Sequence, residues 1–352
     1  MRRLASIQTV TLTEPIPNAD AIERVKILGW WVVCKKGEYR LGDRVVYCEI
    51  DSLLPERPEF EFLRASSFKA AVMDGDVTIQ RAGFRIKTVK LREQVSQGIC
   101  FPLSMLSPGA PIEIGSDVTS DLDIIKYEPP IPVGMGGRIK GTFPAFLSKT
   151  DEIRIQVLEP ILERYRGQTF QMTEKLDGSS MTAFLRDGEF GICSRNQWLD
   201  EADETNVMVR VAKTLDLPGK LARIQNRFGF QPAIQGEVIG PGIQKNKYGL
   251  DRVDLRVFNI FDIGQYRLID RSVYLQALVA VELMGVPELG PIVLDHTIDQ
   301  LVELSIGVST LQSKTQREGI VFRPDVEQFD QDVGGRLSFK VINPQFLLKY
   351  DE

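Results

Sequence analysis

The chain has 352 residues, 26% of them charged and 43% hydrophobic, which is enough for two globular domains. Its net charge of −5 argues mildly against nucleic-acid binding, although the charge of a local patch governs such contacts more than the total. A single histidine, His296, nearly excludes a histidine base or a His-rich metal site, so catalysis would have to run on Lys, Asp, Glu and Arg. Four cysteines (Cys34, Cys48, Cys100, Cys193) lie far apart without a C-x-x-C pair and read as buried thiols. No apolar run approaches the roughly 20 residues of a membrane span, and the N-terminus has no signal-type apolar core, so a cytoplasmic protein is expected.

In chain order, residues 1–125 read as all-β. Apolar and polar residues alternate in 4–10, 30–34, 44–50 and 84–92, with turn signals such as Lys36-Gly37-Glu38 and Leu41-Gly42-Asp43 between them. Short strands in this number suggest a small barrel of the OB type. A Pro/Gly-rich passage, within 126–144, reads as a linker. From 145 to 352 helices and strands mix. Helices are expected over 272–284, capped by Asp270 or Ser272, and over 298–306; strands are expected over 231–239, 255–262, 319–322 and 337–342. The fold class expected is therefore α+β, an N-terminal OB-type β-barrel followed by an α+β domain.

Six short segments in the second domain carry the chemistry: Thr173-Glu-Lys-Leu-Asp-Gly-Ser-Ser180, Ser194-Arg195-Asn196, Gly236-Glu237-Val238, Phe258-Asn-Ile-Phe-Asp262, Glu318-Gly-Ile-Val-Phe322 and Ser338-Phe-Lys-Val341. Any one alone is weak evidence, since an isolated Lys-Leu-Asp-Gly is most often a solvated turn. The joint order resembles the covalent nucleotidyltransferase superfamily of DNA ligases, RNA ligases and mRNA capping enzymes. A free lysine has a pKa near 10.4, so only about one in a thousand is deprotonated at neutral pH. A nucleophilic Lys175 therefore needs nearby positive charge, a divalent metal above all, to lose its proton.

The resemblance implies a role for each position. Lys175, Arg195 and Lys340 are the expected catalytic residues. Asp177, Asp262 and Glu318 would hold hydrated Mg²⁺ or Mn²⁺ beside the α-phosphate, although each acid read alone could be a cap or an ion-pair partner. Glu237 would bind the ribose, and Arg195 and Lys340 the phosphates. Phe261 would stack on adenine, with a plain core phenylalanine as the alternative, while Phe258 reads as core. Glu174 would read the base edge, with a solvated strand end as the alternative, and Arg154 would orient the γ-phosphate of ATP. One departure is that Ser338 stands where some relatives carry the first lysine of a K-x-K pair.

The branch is indicated by three features. Ser180 replaces the arginine that DNA ligases place five residues after the lysine, no further domain follows Lys340, and the β-rich domain comes first. That layout resembles ATP-dependent nick-sealing RNA ligases with an N-terminal OB domain. The expected reaction is formation of lysyl-AMP at Lys175, transfer of AMP to a 5′-phosphate, and sealing by a 3′-hydroxyl. The expected partner is RNA, with nicked duplex as its form, and no obligate protein partner. The alternatives are a DNA ligase, a capping-type guanylyltransferase, or a non-catalytic nucleic-acid-binding protein. In the first domain, Arg81, Arg85, Lys87, Lys90 and Arg92, with Phe84 among them and no acid within the run, read equally as a nucleic-acid surface or a solvated edge strand.

Overall fold

A computed structural model describes residues 3–74, 76–128 and 137–351. Two units divide the chain: Met1–Pro130 together with Pro344–Glu352, and Ile131–Asn343. The reading from sequence ran the second domain to residue 352; the structure instead groups residues 344–352, including the helix Pro344–Tyr350, with the first unit.

In the first unit, strands Ala5–Pro15 (β1), Ile22–Ile27 (β2), Trp30–Lys35 (β3), Arg44–Cys48 (β4) and Ile99–Phe101 (β5) form an antiparallel sheet in the order β5-β4-β1-β2-β3. Alternation decides which faces turn inward: Val25 and Ile27 on β2 and Trp30 and Val32 on β3 are buried, with Val10, Val45 and Tyr47 completing the core. The segment leading into β5 closes on β3, where Gln97 N donates to Trp31 O at 2.9 Å and Val33 N to Ser96 Oγ at 2.9 Å. The result is the nearly closed OB-type barrel that the strand count suggested.

Four of the five cations in the basic run between residues 81 and 92 are paired with acids. Arg81 is paired with Asp123, Arg85 with Asp51, Lys87 with Asp351 and Lys90 with Glu93, and Phe84 is fully buried. The supposed linker is partly strand. Ile125–Lys126 pairs with Ser52–Leu54, and Ile139–Thr142 (β6) joins the second unit, while residues 129–136 lie outside the described residues.

The second unit has two antiparallel sheets. The larger runs β6-β10-β9-β8-β11-β12-β13, built from Ser179–Arg186 (β8), Glu189–Cys193 (β9), Gln197–Leu199 (β10), Pro232–Ile239 (β11), Asp254–Asp262 (β12) and Arg267–Leu268 (β13). The smaller runs β14-β7-β15-β16, from Thr169–Lys175 (β7), Glu288–Val293 (β14), Gly319–Arg323 (β15) and Phe339–Ile342 (β16). Helices Val207–Thr214 (α1), Leu217–Phe228 (α2) and Arg271–Val281 (α3) cover the larger sheet through one core that includes Met208, Leu221, Ile234 and Leu278. Helix Ile298–Ser305 (α4), capped by Thr297 with Gln300 reaching back, covers the smaller through Leu301, Phe322 and Phe339. None of the described helices is long and apolar enough to cross a membrane.

Candidate active site

Lys175 is the last residue of β7 and Ser179 opens β8, so Leu176-Asp177-Gly178 carries the chain from the smaller sheet to the larger. Leu176 is buried with Ile239, Tyr248 and Val286, which anchors the connector from beneath. Gly178 is required by close approach: a β-carbon there would sit 2.4 Å from Val238 O and 2.9 Å from Glu237 Cγ. The Lys-Leu-Asp-Gly sequence thus wedges the lysine against both sheets.

Lys175 faces Gly319 in the β7–β15 register, and Glu318 lies immediately before that glycine. The two side chains meet, with Nζ donating to Glu318 Oε1 at 2.6 Å. Glu237 lies opposite Ser180 on β11, adding a second carboxylate to the lysine's surroundings. Asp177 is paired with Lys247, and its backbone N donates to Tyr248 Oη at 2.7 Å. Lys340 sits opposite Val321 on β16; its backbone N donates to Ile153 O at 2.8 Å, and a bridge joins it to Arg154. Six sequence-predicted residues, Lys175, Glu318, Glu237, Asp177, Lys340 and Arg154, are thereby brought into one neighbourhood.

Their charges act on each other in opposite senses. Burial pulls the Lys175 ammonium toward neutrality, but Glu318, Glu237 and Asp177 outweigh it and hold the group above the ordinary lysine range. The Glu237 carboxyl is pushed up to about 8, chiefly by burial and further by Glu318 and Asp177, against the pull of Lys175. Lys340 is pulled down to about 7 by burial, helped by Lys175 and Arg154. Such a set of displaced and mutually dependent groups marks a site built for proton and phosphate chemistry.

Glu174 is 1% exposed, and its Oε2 accepts from Thr310 N at 2.9 Å and Thr310 Oγ1 at 2.7 Å, while Oε1 is buried without a hydrogen-bond partner. Arg195 stands on the exposed turn between β9 and β10, paired with Asp151 at 2.7 Å. Two expectations fail here. Asp262 pairs with Pro232 at the far end of β11, five residues from Glu237, or about 17 Å along the strand. It is 5% exposed and caps its own turn, Oδ1 accepting from Gly264 N at 2.9 Å and Gln265 N at 3.2 Å. Phe261, its neighbour, is a core residue packed with Phe184, Ala233 and Ile263 and edge-on to Tyr266. Phe258, read as core, packs partly buried against a core cluster, that of Leu176 and Tyr248 beneath the connector.

Several contributors escaped the sequence reading. Glu152 accepts from Arg323 Nη2 at 2.8 Å and from the Ser338 hydroxyl. Arg323 also donates to Phe258 O at 3.2 Å, and Arg336 donates to Asn259 Oδ1 at 2.7 Å and pairs with Glu327. Ser338 is therefore part of a buried network behind Lys340, and a second lysine would have no place there without rebuilding it. Lys247 and Tyr248, which hold Asp177, follow Gln244, Lys245 and Asn246, three consecutive non-glycine residues with φ of 42, 59 and 48°. Nothing in Gln-Lys-Asn-Lys-Tyr announces so costly a backbone, though Arg323 lies only one residue past the Glu318–Phe322 segment.

Among the described residues no group of three His, Cys, Asp or Glu side chains is placed to hold an ion, so the set Asp177, Asp262 and Glu318 is not assembled. A hydrated Mg²⁺ or Mn²⁺ needs fewer protein oxygens, since it keeps several waters. Glu318 fits that part, because its Oε2 is buried and lacks a hydrogen-bond partner beside the oxygen that meets Lys175.

Comparison with known proteins adds to this geometry. A family model described as an OB-fold domain matches residues 4–103, and one described as RNA ligase matches residues 168–342. No curated protein matches the chain. Among solved structures, Naegleria gruberi RNA ligase with PPi is similar at 36% identity and a TM-score of 0.87, covering 100% of this chain and 99% of that one. A variant of the same enzyme with ATP and Mn aligns at 35% identity and a TM-score of 0.86, over 98% of each chain. Another variant, with AMP and Mn, aligns at 35% identity and a TM-score of 0.87, also over 98% of each.

Proposed function

We propose a course for the reaction of this chain, which belongs to the RNA ligase family and is an ATP-dependent RNA ligase acting on RNA. Lys175 Nζ attacks the α-phosphorus of ATP: a P–N bond forms, the bond to the β-phosphate oxygen breaks, and pyrophosphate leaves. The ammonium must lose one proton before it attacks, for which Glu318 Oε1 is the acceptor already in contact, and a second proton leaves to water as the P–N bond forms. The AMP then passes to the oxygen of an RNA 5′-phosphate, and a 3′-hydroxyl displaces it to close the phosphodiester. Dividing the reaction in this way replaces one hard displacement by three easier ones. The observation that carries the assignment is the Lys175–Glu318 contact at 2.6 Å in the company of Glu237 and Lys340.

The remaining residues bind and orient. Glu174 offers its unpartnered Oε1 to the amino group of adenine, an arrangement that would leave the carbonyl of guanine facing a carboxylate. Phe258 takes the position beside the base that the sequence reading gave to Phe261. Glu237 accepts from the ribose hydroxyls. Lys340 and Arg154 hold the phosphates, with Arg154 toward the γ end, and Arg195 adds a mobile-side phosphate contact from the exposed turn. Relatives hold ATP or AMP with Mn, and Glu318, through its unpartnered Oε2, is the residue here that would hold a hydrated divalent ion. Such an ion supplies positive charge that lowers the lysine pKa and stabilises charge on the phosphate.

The form of RNA that fits an enzyme with a barrel domain ahead of its catalytic domain is a nick in a duplex, and the compartment is the cytoplasm, where thiols such as Cys34, Cys48, Cys100 and Cys193 stay free. The test is incubation with α-labelled ATP and a divalent metal, followed by a denaturing gel, with Lys175→Ala alongside. A labelled band in the wild type that is absent in a folded Lys175→Ala supports the assignment. Sealing of unadenylated ends by that variant would remove Lys175 as the nucleophile. Equal sealing of nicked and single-stranded RNA would remove the preference for nicks.

A further inference from the structure

Ladder pairing of β7 ends at Lys175 with Gly319, and that of β8 begins at Ser179 with Val238. Leu176, Asp177 and Gly178 therefore lie outside both sheets, and the loop between β11 and β12 holds them instead. Tyr248 Oη accepts from Asp177 N at 2.7 Å, Gln244 Nε2 donates to Gly178 O at 3.4 Å, and Lys247 pairs with the Asp177 carboxylate. The Tyr248 ring is 3% exposed and packs with Leu176. The loop is braced in turn. Thr315 Oγ1 donates to Lys247 O at 2.7 Å, and Asn246 closes on Leu250, its Nδ2 donating to Leu250 O at 2.9 Å and its Oδ1 accepting from Leu250 N at 3.0 Å. Gln244, Lys245 and Asn246 all lie in the left-handed region, and Lys245 at their centre is exposed. Non-glycine residues persist there where the surroundings over-determine them, and they gather where a site is preorganised.

We propose that Tyr248 and Gln244 are positioning residues for the covalent step, holding the backbone next to Lys175 so that its amine keeps its aim. The inference rests on the reading of Lys175 as the nucleophile. A lysine side chain is long and flexible, so the place of its nitrogen depends on how firmly its own backbone is fixed. On one side of Lys175 the β7–β15 ladder fixes it. On the other side the loop does, by a hydrogen bond to the amide of Asp177, one to the carbonyl of Gly178 and the packing of Leu176. A misplacement of about 1 Å in a reacting atom costs on the order of 10²-fold in rate, so a single backbone contact here matters. The requirement is confined to steps in which Lys175 receives or gives up AMP. In the last step a 3′-hydroxyl displaces AMP from the 5′ end, and Lys175 forms no bond.

The experiment follows single-turnover AMP labelling of the full chain over a range of ATP concentrations. Sealing of an RNA end supplied already capped with AMP is measured alongside. Tyr248→Phe keeps the ring and removes only the hydroxyl. Its maximal labelling rate should fall about 10- to 100-fold, while the ATP concentration at half-maximal rate changes by less than about 3-fold. Sealing of the capped end should be far less affected, which separates lost aim from lost fold. Gln244→Ala should act in the same direction and more weakly. Lys245 tests the loop without removing a contact to the connector: Lys245→Val disfavours the left-handed backbone and should slow labelling, whereas Lys245→Gly accepts it and should label as the wild type does. Wild-type labelling rates in both Tyr248→Phe and Lys245→Val would overturn the proposal. So would a parallel loss of labelling and capped-end sealing in Tyr248→Phe. Absence of labelling in the wild type would instead overturn the reading of Lys175 as the nucleophile, and this proposal with it.

Discussion

Two lysines of one cleft, Lys175 and Lys340, are both half-buried and yet are driven in opposite directions. Around Lys175 stand Glu318, Glu237 and Asp177, and the ammonium is stabilised. Around Lys340, burial together with Lys175 and Arg154 outweighs Asp151 and Glu318, and the ammonium is destabilised to about 7. Burial is the largest influence on both, so the difference between them comes from neighbours. On the proposed course, the lysine that becomes the nucleophile is kept charged and tethered until an added cation tips it, whereas the lysine proposed to bind phosphate is held near its point of titration.

The comparison can be broken most completely at Lys175: with alanine there, labelling by α-labelled ATP should vanish altogether. The next effect is at Glu318. Glu318→Gln removes the tether and the nearest proton acceptor, and AMP labelling should slow by roughly 10²-fold or more, read as the rate of a single turnover. Behind Lys340, Glu152→Gln strips the counter-charge from Arg323 and Arg336. The carboxyl of Glu152 is held below the ordinary range, since those arginines and Ser338 outweigh the upward push of burial. Loss of one partner from such a buried set costs about 3–5 kcal/mol, so the thermal midpoint should fall by several degrees or more.

A finer test uses pH. Lys340 is charged below about 7 and loses its proton above it, so affinity for ATP in the free protein should weaken as pH rises through 7. Lys340→Arg keeps its charge throughout and should flatten that dependence, measured by titration with a non-hydrolysable ATP analogue. The smallest effect belongs to Arg195 and Asp151, an exposed pair. Asp151→Ala should change stability by no more than about 1 kcal/mol in chemical unfolding.

What could be read from the sequence was whatever is local. Lys-Leu-Asp-Gly specified its connector, because the glycine, the buried Leu176 and the outward Lys175 and Asp177 are adjacent in the chain. The alternating strands of the first barrel were legible for the same reason. The choice between Phe258 and Phe261 was not. They lie three apart on β12, and from Asn259 to Asp262 every residue of that strand is buried, so no alternation marks the side that faces the cleft. The irregularity between Gln235 and Gly236 shifts the register further. Asp262 looked like a ligand because an acid ending a buried strand and an acid capping its own turn have the same sequence. The 81–92 run looked cationic because its acids are remote: Asp51, Asp123 and Asp351 lie outside it, and only Glu93 is near. The pairing of Asp177 with Lys247 depends on a loop of left-handed residues that follows no propensity.

The grouping of Pro344–Glu352 with the first unit has a consequence for the order of synthesis. The stretch 131–343 is in effect a parenthesis within the other unit, and everything inside it leaves the ribosome before the parenthesis closes. Asp351, the partner of both Arg85 and Lys87, is made only after that whole stretch. The barrel must therefore wait, with Lys87 lacking its acid and Arg85 held by Asp51 alone, until the stretch 131–343 has been translated in full.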